Sequence, residues 1–150
     1  MSGLNRLIKS EIDANLREEL EERLAIVEHK IKFMDKVPVC VLDTLAHPGL
    51  TLMDYAEKAG AALTTNAGEA AFLIFYEEGR TLEELMRLVP ILLDENWSAV
   101  KYNRVYLLAD AYQNTKPADA VALTEDIAEM IHPGHFIFGF EGDKWIKFTL

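Results

Sequence analysis

Three short runs of consecutive apolar residues constrain this chain more than any other feature. Val37–Leu42 reads Val-Pro-Val-Cys-Val-Leu, residues 71–76 read Ala-Phe-Leu-Ile-Phe-Tyr, and residues 104–108 read Arg-Val-Tyr-Leu-Leu. None of them alternates apolar with polar, so neither face of such a strand is suited to water. That is the pattern of strands in a parallel sheet covered on both sides. The segments between them carry helical signals. Residues 51–59 read as a helix with Thr51 as its N-cap and Gly60 as its stop. Thr81 opens another, with Glu84 three residues on completing a capping box.

Pro90 lacks an N–H and is expected to kink or divide that helix, with 91–100 continuing the helical pattern. After the polar loop 111–117, residues 118–131 form a further helix, stopped by His132-Pro133-Gly134. Residues 61–71 are small and weakly patterned. The tail reads as two short strands, 136–140 and 145–150, in a hairpin around Glu141-Gly142-Asp143-Lys144. Strands alternating with helices predict a three-layer, Rossmann-like α/β domain with a mainly parallel sheet over residues 37–150.

Ahead of that domain, Leu4, Ile8, Ile12, Leu16, Leu20, Leu24, Val27 and Ile31 recur at spacings of three and four, and neither Pro nor Gly interrupts them from 4 to 34. The stripe predicts one long helix, making residues 1–36 an arm appended to the domain. Such a helix spans roughly 45 Å, more than a domain of this size covers. Its overhanging apolar stripe predicts a partner, most simply a second copy of the chain.

Composition removes several classes of function. The chain has 150 residues, half of them hydrophobic, so it can bury a core without disulfides or metals. Lys and Arg number 15 against 25 Asp and Glu, a net charge of −10. That balance argues against a nucleic-acid backbone or an anionic membrane surface as partner. The single cysteine, Cys40, sits in the first apolar run and reads as a core residue. It excludes an internal disulfide and a cysteine-based zinc cluster. No apolar run reaches the length of a membrane span, and no secretory signal is legible. The expected location is the cytoplasm, or outside the membrane if the sequence is a trimmed mature form.

No enzyme constellation is evident. There is no glycine-rich phosphate loop and no nucleophile elbow, and Ser98 has no neighbouring histidine. His132 and His135 are separated by a helix-breaking Pro-Gly and need not share a face, so no metal site is expected there. Topology is more informative, because open α/β sheets bind ligands at the carboxyl ends of their strands. Those ends supply His47, Tyr76, Arg80, Tyr112, Asn114 and Lys116 as candidate ligand-binding residues. Aromatic rings with a few polar groups suit a large, partly apolar ligand.

Two further stretches carry a resemblance. Trp97-Ser98-Ala99-Val100-Lys101-Tyr102-Asn103-Arg104-Val105-Tyr106 is one; Lys116-Pro117 opening a helix that ends Ile131-His132-Pro133, followed by Phe136, is the other. Together they resemble the C-terminal lobe of the helical-backbone (class III) substrate-binding proteins of ABC transporters. The resemblance covers roughly residues 15–148. It implies a periplasmic-binding-protein-like lobe and, as ligand, a ferric siderophore, haem or cobalamin held between two lobes. The sequence departs from that family in lacking a counterpart of the N-terminal lobe. It also lacks a clear equivalent of the glutamate that docks on the permease. Ala120 stands where a second basic residue of the ligand loop is usual, while Lys116 keeps the first.

The expected function is therefore non-enzymatic: a single-lobe binding protein for a metal chelate or corrinoid, completed by a homodimer. In it Tyr112, Tyr76 and His47 supply apolar contact, and Lys116 and Arg80 orient acidic groups. The alternative is a half-receptor that has become an oligomerising or protein-interaction module.

Overall fold

A computed structural model describes residues 3–113 and 115–149. In chain order the elements are α1 (Gly3–Lys9), α2 (Ala14–Ile31), β1 (Val37–Leu42), β2 (Pro48–Gly49), α3 (Met53–Lys58), β3 (Ala61–Leu63) and β4 (Phe72–Phe75). Then follow α4 (Leu82–Leu88), a 3₁₀ turn (Pro90–Leu92), α5 (Ser98–Lys101), β5 (Val105–Leu108), α6 (Pro117–Ile131) and β6 (Trp145–Phe148). They form two compact units.

The sheet unit comprises the described residues of Val37–Leu52, Ala61–Ala111 and Gly139–Leu150. Its strand order is β2-β1-β4-β5-β6, with β3 also on β1. The three runs read from the sequence are the three central strands, β1, β4 and β5, and they pair in parallel: Val39 lies beside Phe72, and Leu73 beside Val105. The outer edge of β1 is shared. Parallel β3 pairs with its first half and antiparallel β2 with its last two residues. β6 closes the other edge, antiparallel to β5. Every residue of β4 and β5 is buried, which is what their unbroken apolar character requires. Period two sends Cys40, Leu42, Leu73, Phe75, Val105 and Leu107 to one face. There they pack with Leu85 and Val89 of the α4 segment and Ala99 and Val100 of α5.

The capping box is formed. The Thr81 hydroxyl accepts from the Glu84 amide at 3.2 Å, while the Glu84 carboxylate accepts from the Thr81 amide. Pro90 ends α4 and begins the 3₁₀ turn. The helical pattern read over 91–100 is realised only in that turn and in α5.

The helical unit comprises the described residues of Met1–Lys36, Met53–Gly60 and Tyr112–Phe138. Here the single long helix expected from the apolar stripe is corrected to two. The break falls at Asp13, whose carboxylate accepts from the amides of Asn15 and Leu16 at 3.0 and 3.1 Å, capping α2 from outside. Ile12, counted in the stripe, is consequently 95% exposed. The rest of the stripe finds cover within the unit: Leu4, Ile8, Leu20 and Leu24 pack with Ala120 and Val121 of α6. The overhang that asked for a second chain does not form.

The C-terminal hairpin is likewise corrected. Residues 136–140 form no strand: the Phe138 amide donates to the Glu129 carboxylate at 2.6 Å, and Gly139 takes a positive φ of 89°. β6 pairs with β5 instead.

Candidate functional site

The carboxyl ends of β1, β4 and β5 lie in the sheet unit and carry a connected polar network. After β1, Asp43 ties its own turn. One carboxylate oxygen accepts from the amides of Leu45 (2.8 Å) and His47 (2.9 Å), and the other lies 3.6 Å from His47 Nδ1. The imidazole itself is exposed.

After β4, Glu77 bridges two loops. It accepts from the Thr44 hydroxyl at 2.7 Å and amide at 3.2 Å, and from Arg80 Nε at 2.6 Å. Arg80 also donates to Glu84 at 2.9 Å. The Thr44 hydroxyl, then Arg80, hold the Glu77 carboxyl below the usual carboxylate range. Arg80, then the Thr81 amide, do the same for Glu84. Both are therefore ionised at neutral pH.

After β5, Asp110 accepts from the Tyr76 hydroxyl at 3.1 Å and from the Gly79 amide at 2.8 Å. Its own amide donates to the Arg80 carbonyl at 3.0 Å. The consecutive loops thus brace one another. Beside them opens a cleft of about 730 Å³, lined by Gly79, Arg80, Glu83, Asp110 and Asp143, with Leu82, Met86 and Ile146 supplying apolar wall.

Of the six candidate ligand-binding residues, the sheet unit holds His47, Tyr76 and Arg80, and Arg80 lines the cleft. Tyr112 and Lys116 belong to the helical unit. Tyr112 is buried there, its hydroxyl donating to the Asp126 carboxylate. Lys116 is exposed at the N-cap of α6 and its side chain makes no capping bond. Asn114 lies outside the described residues. The spacing of the loops did not reveal Glu83, Asp110 or Asp143. Asp110 was findable as the acidic residue two beyond the last residue of β5. Asp143 was masked by its reading as a hairpin turn.

The helical unit carries its own polar set. His132 is buried, with Nε2 2.7 Å from the Ala59 carbonyl. Burial lowers its pKa, opposed in part by that hydrogen bond. Arg23 donates to both oxygens of the buried Glu125, through Nε at 3.2 Å and through its terminal nitrogen. No group of three or more His, Cys, Asp or Glu among the described residues is placed to hold a metal ion. No helix among them is long and apolar enough to cross a membrane.

No family model matches the sequence, and no curated protein matches it. Solved structures do share the fold. An ABC-transporter substrate-binding protein from Listeria monocytogenes EGD-e is 16% identical, with a TM-score of 0.64 over 79% of this chain and 56% of that one. The TroA-like periplasmic binding protein FepB from Veillonella parvula is 14% identical, with a TM-score of 0.62 over 82% and 47%. S. aureus IsdE, solved with haem, is 16% identical, with a TM-score of 0.56 over 86% and 62%. The chain spans about half the length of the first two. This chain has the fold found in a part of ABC-transporter substrate-binding proteins.

Proposed function

We propose that this protein is a non-enzymatic ligand-binding module that takes a bulky, partly apolar small molecule at the strand-end loops of its sheet unit. The observation that carries the reading is the braced cleft at the carboxyl ends of β4 and β5, where open α/β sheets place their ligands. The shared fold supports it: the similar structures are substrate-binding proteins, one solved with haem. Fold alone does not decide function, so the weight rests on the cleft. Its volume falls in the range of small-molecule sites. The ligand class is a metal chelate or corrinoid: a ferric siderophore, haem or cobalamin. Tyr76 and His47 supply ring surface at the loop tips. Arg80 orients the loops through Glu77 and Glu84.

The test is a thermal-shift panel of cobalamins, haem and ferric siderophores against protein of measured oligomeric state. A ligand held at about a hundred times its dissociation constant stabilises the native state by roughly 2.7 kcal/mol. For a domain of this size that raises Tm by several degrees. A shift with one class, diminished by Tyr76→Ala, supports the reading; a flat panel overturns it.

A second reading, a protein-interaction module, is favoured by the apolar side chains the helical unit leaves in water, Ile12 and Phe33, both over 90% exposed. Sedimentation decides it: a self-associating chain should become monomeric on Ile12→Asp with Phe33→Asp.

A further inference from the structure

The outward face of α2 is uncovered, and its charges are sorted by position along the helix. Leu20, Leu24 and Val27 point inward and are buried. At 100° per residue, Glu18, Glu22, Ala25, Ile26 and His29 lie on the opposite side, and all five are exposed. Ile26 is 54% exposed, and Phe33, two turns further on, is 92% exposed. Residues 18–22 hold four glutamates. Of these, Glu18, Glu21 and Glu22 have no ion-pair partner among the described residues. Glu18 and Glu22 repel each other at i,i+4 spacing. Arg23 beside them is taken by Glu125, and Arg17 turns to the Glu11 carbonyl. Past Ile26 the sign reverses. Lys30, Lys32 and Lys36 follow, while Glu28 is paired with Lys58 and Asp35 alone opposes them. Lys30 donates to the His135 carbonyl at 2.9 Å, and the Lys32 ammonium stands 5.5 Å from the centre of the Phe33 ring. Neither contact cancels a charge.

We infer that α2 pairs with α2 of a second copy of this chain, antiparallel, about a two-fold axis near Ala25 and Ile26. That arrangement sets the acidic half of each helix against the basic half of the other, with Glu22 opposite the partner's His29 and Glu19 opposite the partner's Lys32. Parallel pairing would set glutamates against glutamates. A two-fold axis needs one self-complementary patch, and a helix that is acidic at one end and basic at the other supplies it. The small Ala25 lets the two axes approach, and Ile26 and Phe33 lose their contact with water. α2 has 18 residues and is about 27 Å long, a small footprint that suits a weak, reversible pair. The face is the one opposite the stripe that packs on α6. The inference rests on the interaction-module reading, whose partner and geometry it names, and is independent of the ligand cleft.

Sedimentation equilibrium of the full chain at low and at high salt tests this. The wild type should dimerise at tens of micromolar, and more weakly as salt rises. Glu18→Lys with Glu22→Lys reverses the acidic half of the face, and Lys32→Glu with Lys36→Glu reverses the basic half. Each double variant alone should self-associate about tenfold or more weakly, since like charges then meet across the axis. Mixed in equal amounts, the two should form a heterodimer, which damage to the fold could not produce. A dimer that ignores both reversals but is broken by Ile12→Asp with Phe33→Asp overturns the antiparallel pairing and leaves the interaction-module reading standing. So does a mixture that fails to associate when the wild type dimerises. A wild type that stays monomeric at every concentration and salt overturns self-pairing altogether, and the thermal-shift panel still judges the ligand cleft on its own.

Discussion

The two units bury different things. Every buried polar or charged residue among those described, Thr124, Glu125, Asp126 and His132, belongs to the helical unit and lies on α6 or at its end. The sheet unit buries apolar side chains across β1, β4 and β5, and keeps Glu77, Asp110 and Arg80 at the strand ends. The energetic roles differ accordingly. In the pair of half-buried Arg23 with buried Glu125, the carboxylate gives up its hydration and recovers it only while the guanidinium is in place. The strand-end network is half in water and can lose a member cheaply. Groups that must meet a ligand belong in the second setting. Those in the first fix one arrangement of helices.

Removing the partner of the buried carboxylate should give the largest effect. Arg23→Met leaves the Glu125 carboxylate buried and uncompensated, and should destabilise by about 3 kcal/mol in urea unfolding. Adding Glu125→Leu should return most of that loss, because apolar replacement of both partners removes the stranded charge. Glu77→Gln in the sheet unit should cost far less, because its network stands partly in water. A larger loss from Glu77→Gln than from Arg23→Met would break the distinction between the units.

Next in size is the response to acid. Burial lowers the pKa of His132 below its usual value, so the unfolded chain binds a proton there more readily than the folded one. Between the two values the unfolded state holds more protons, and stability rises with pH. The contribution is complete above the unfolded value, near 6.5. It is lost as pH falls below it towards the folded value. His132→Gln should flatten that part of the stability curve. Gly60 sharpens the same point. Its φ is +97°, and a Cβ there would stand 2.8 Å from His132 Nε2. Gly60→Ala should destabilise by about 2 kcal/mol through backbone strain and the displaced ring. Unaltered acid sensitivity in His132→Gln would remove His132 from the account.

The same division explains what could be read from the chain alone. β1, β4 and β5 were legible because an unbroken apolar run has few other uses, and the Thr81–Glu84 cap because both its partners lie within one turn. β3, Ala61–Leu63, is too short and too small to carry a period. Residues 136–140 form an aromatic, apolar run like a strand, yet the Glu129 carboxylate takes the Phe138 amide. In the site, the pairing of Arg80 with Glu84 was within reach as an i,i+4 contact. The burial of Tyr112 was not, because its partner Asp126 lies fourteen residues away on α6. Loop composition reports the residues near a site. It does not report which of them other residues have already claimed.

The smallest expected effect concerns the break between α1 and α2. The apolar spacing runs on through Ile8 and Ile12 as if one helix continued, and the carboxylate of Asp13 caps α2 where it breaks. Asp13→Ala removes the cap and adds the best helix former in its place. If the break is held by packing of Leu4 and Ile8 against α6, the variant should lose about 1 kcal/mol, the usual worth of such a cap, with no gain in far-ultraviolet helicity. If the cap alone holds it, α1 and α2 fuse. Fusion would add a turn of helix to the circular dichroism and draw Leu4 and Ile8 off their buried seats. The first outcome is expected, since both residues are 2% exposed and a continuous helix would turn them from that core. Helix direction in this unit is then decided by what α6 covers, and the aspartate only tidies the corner.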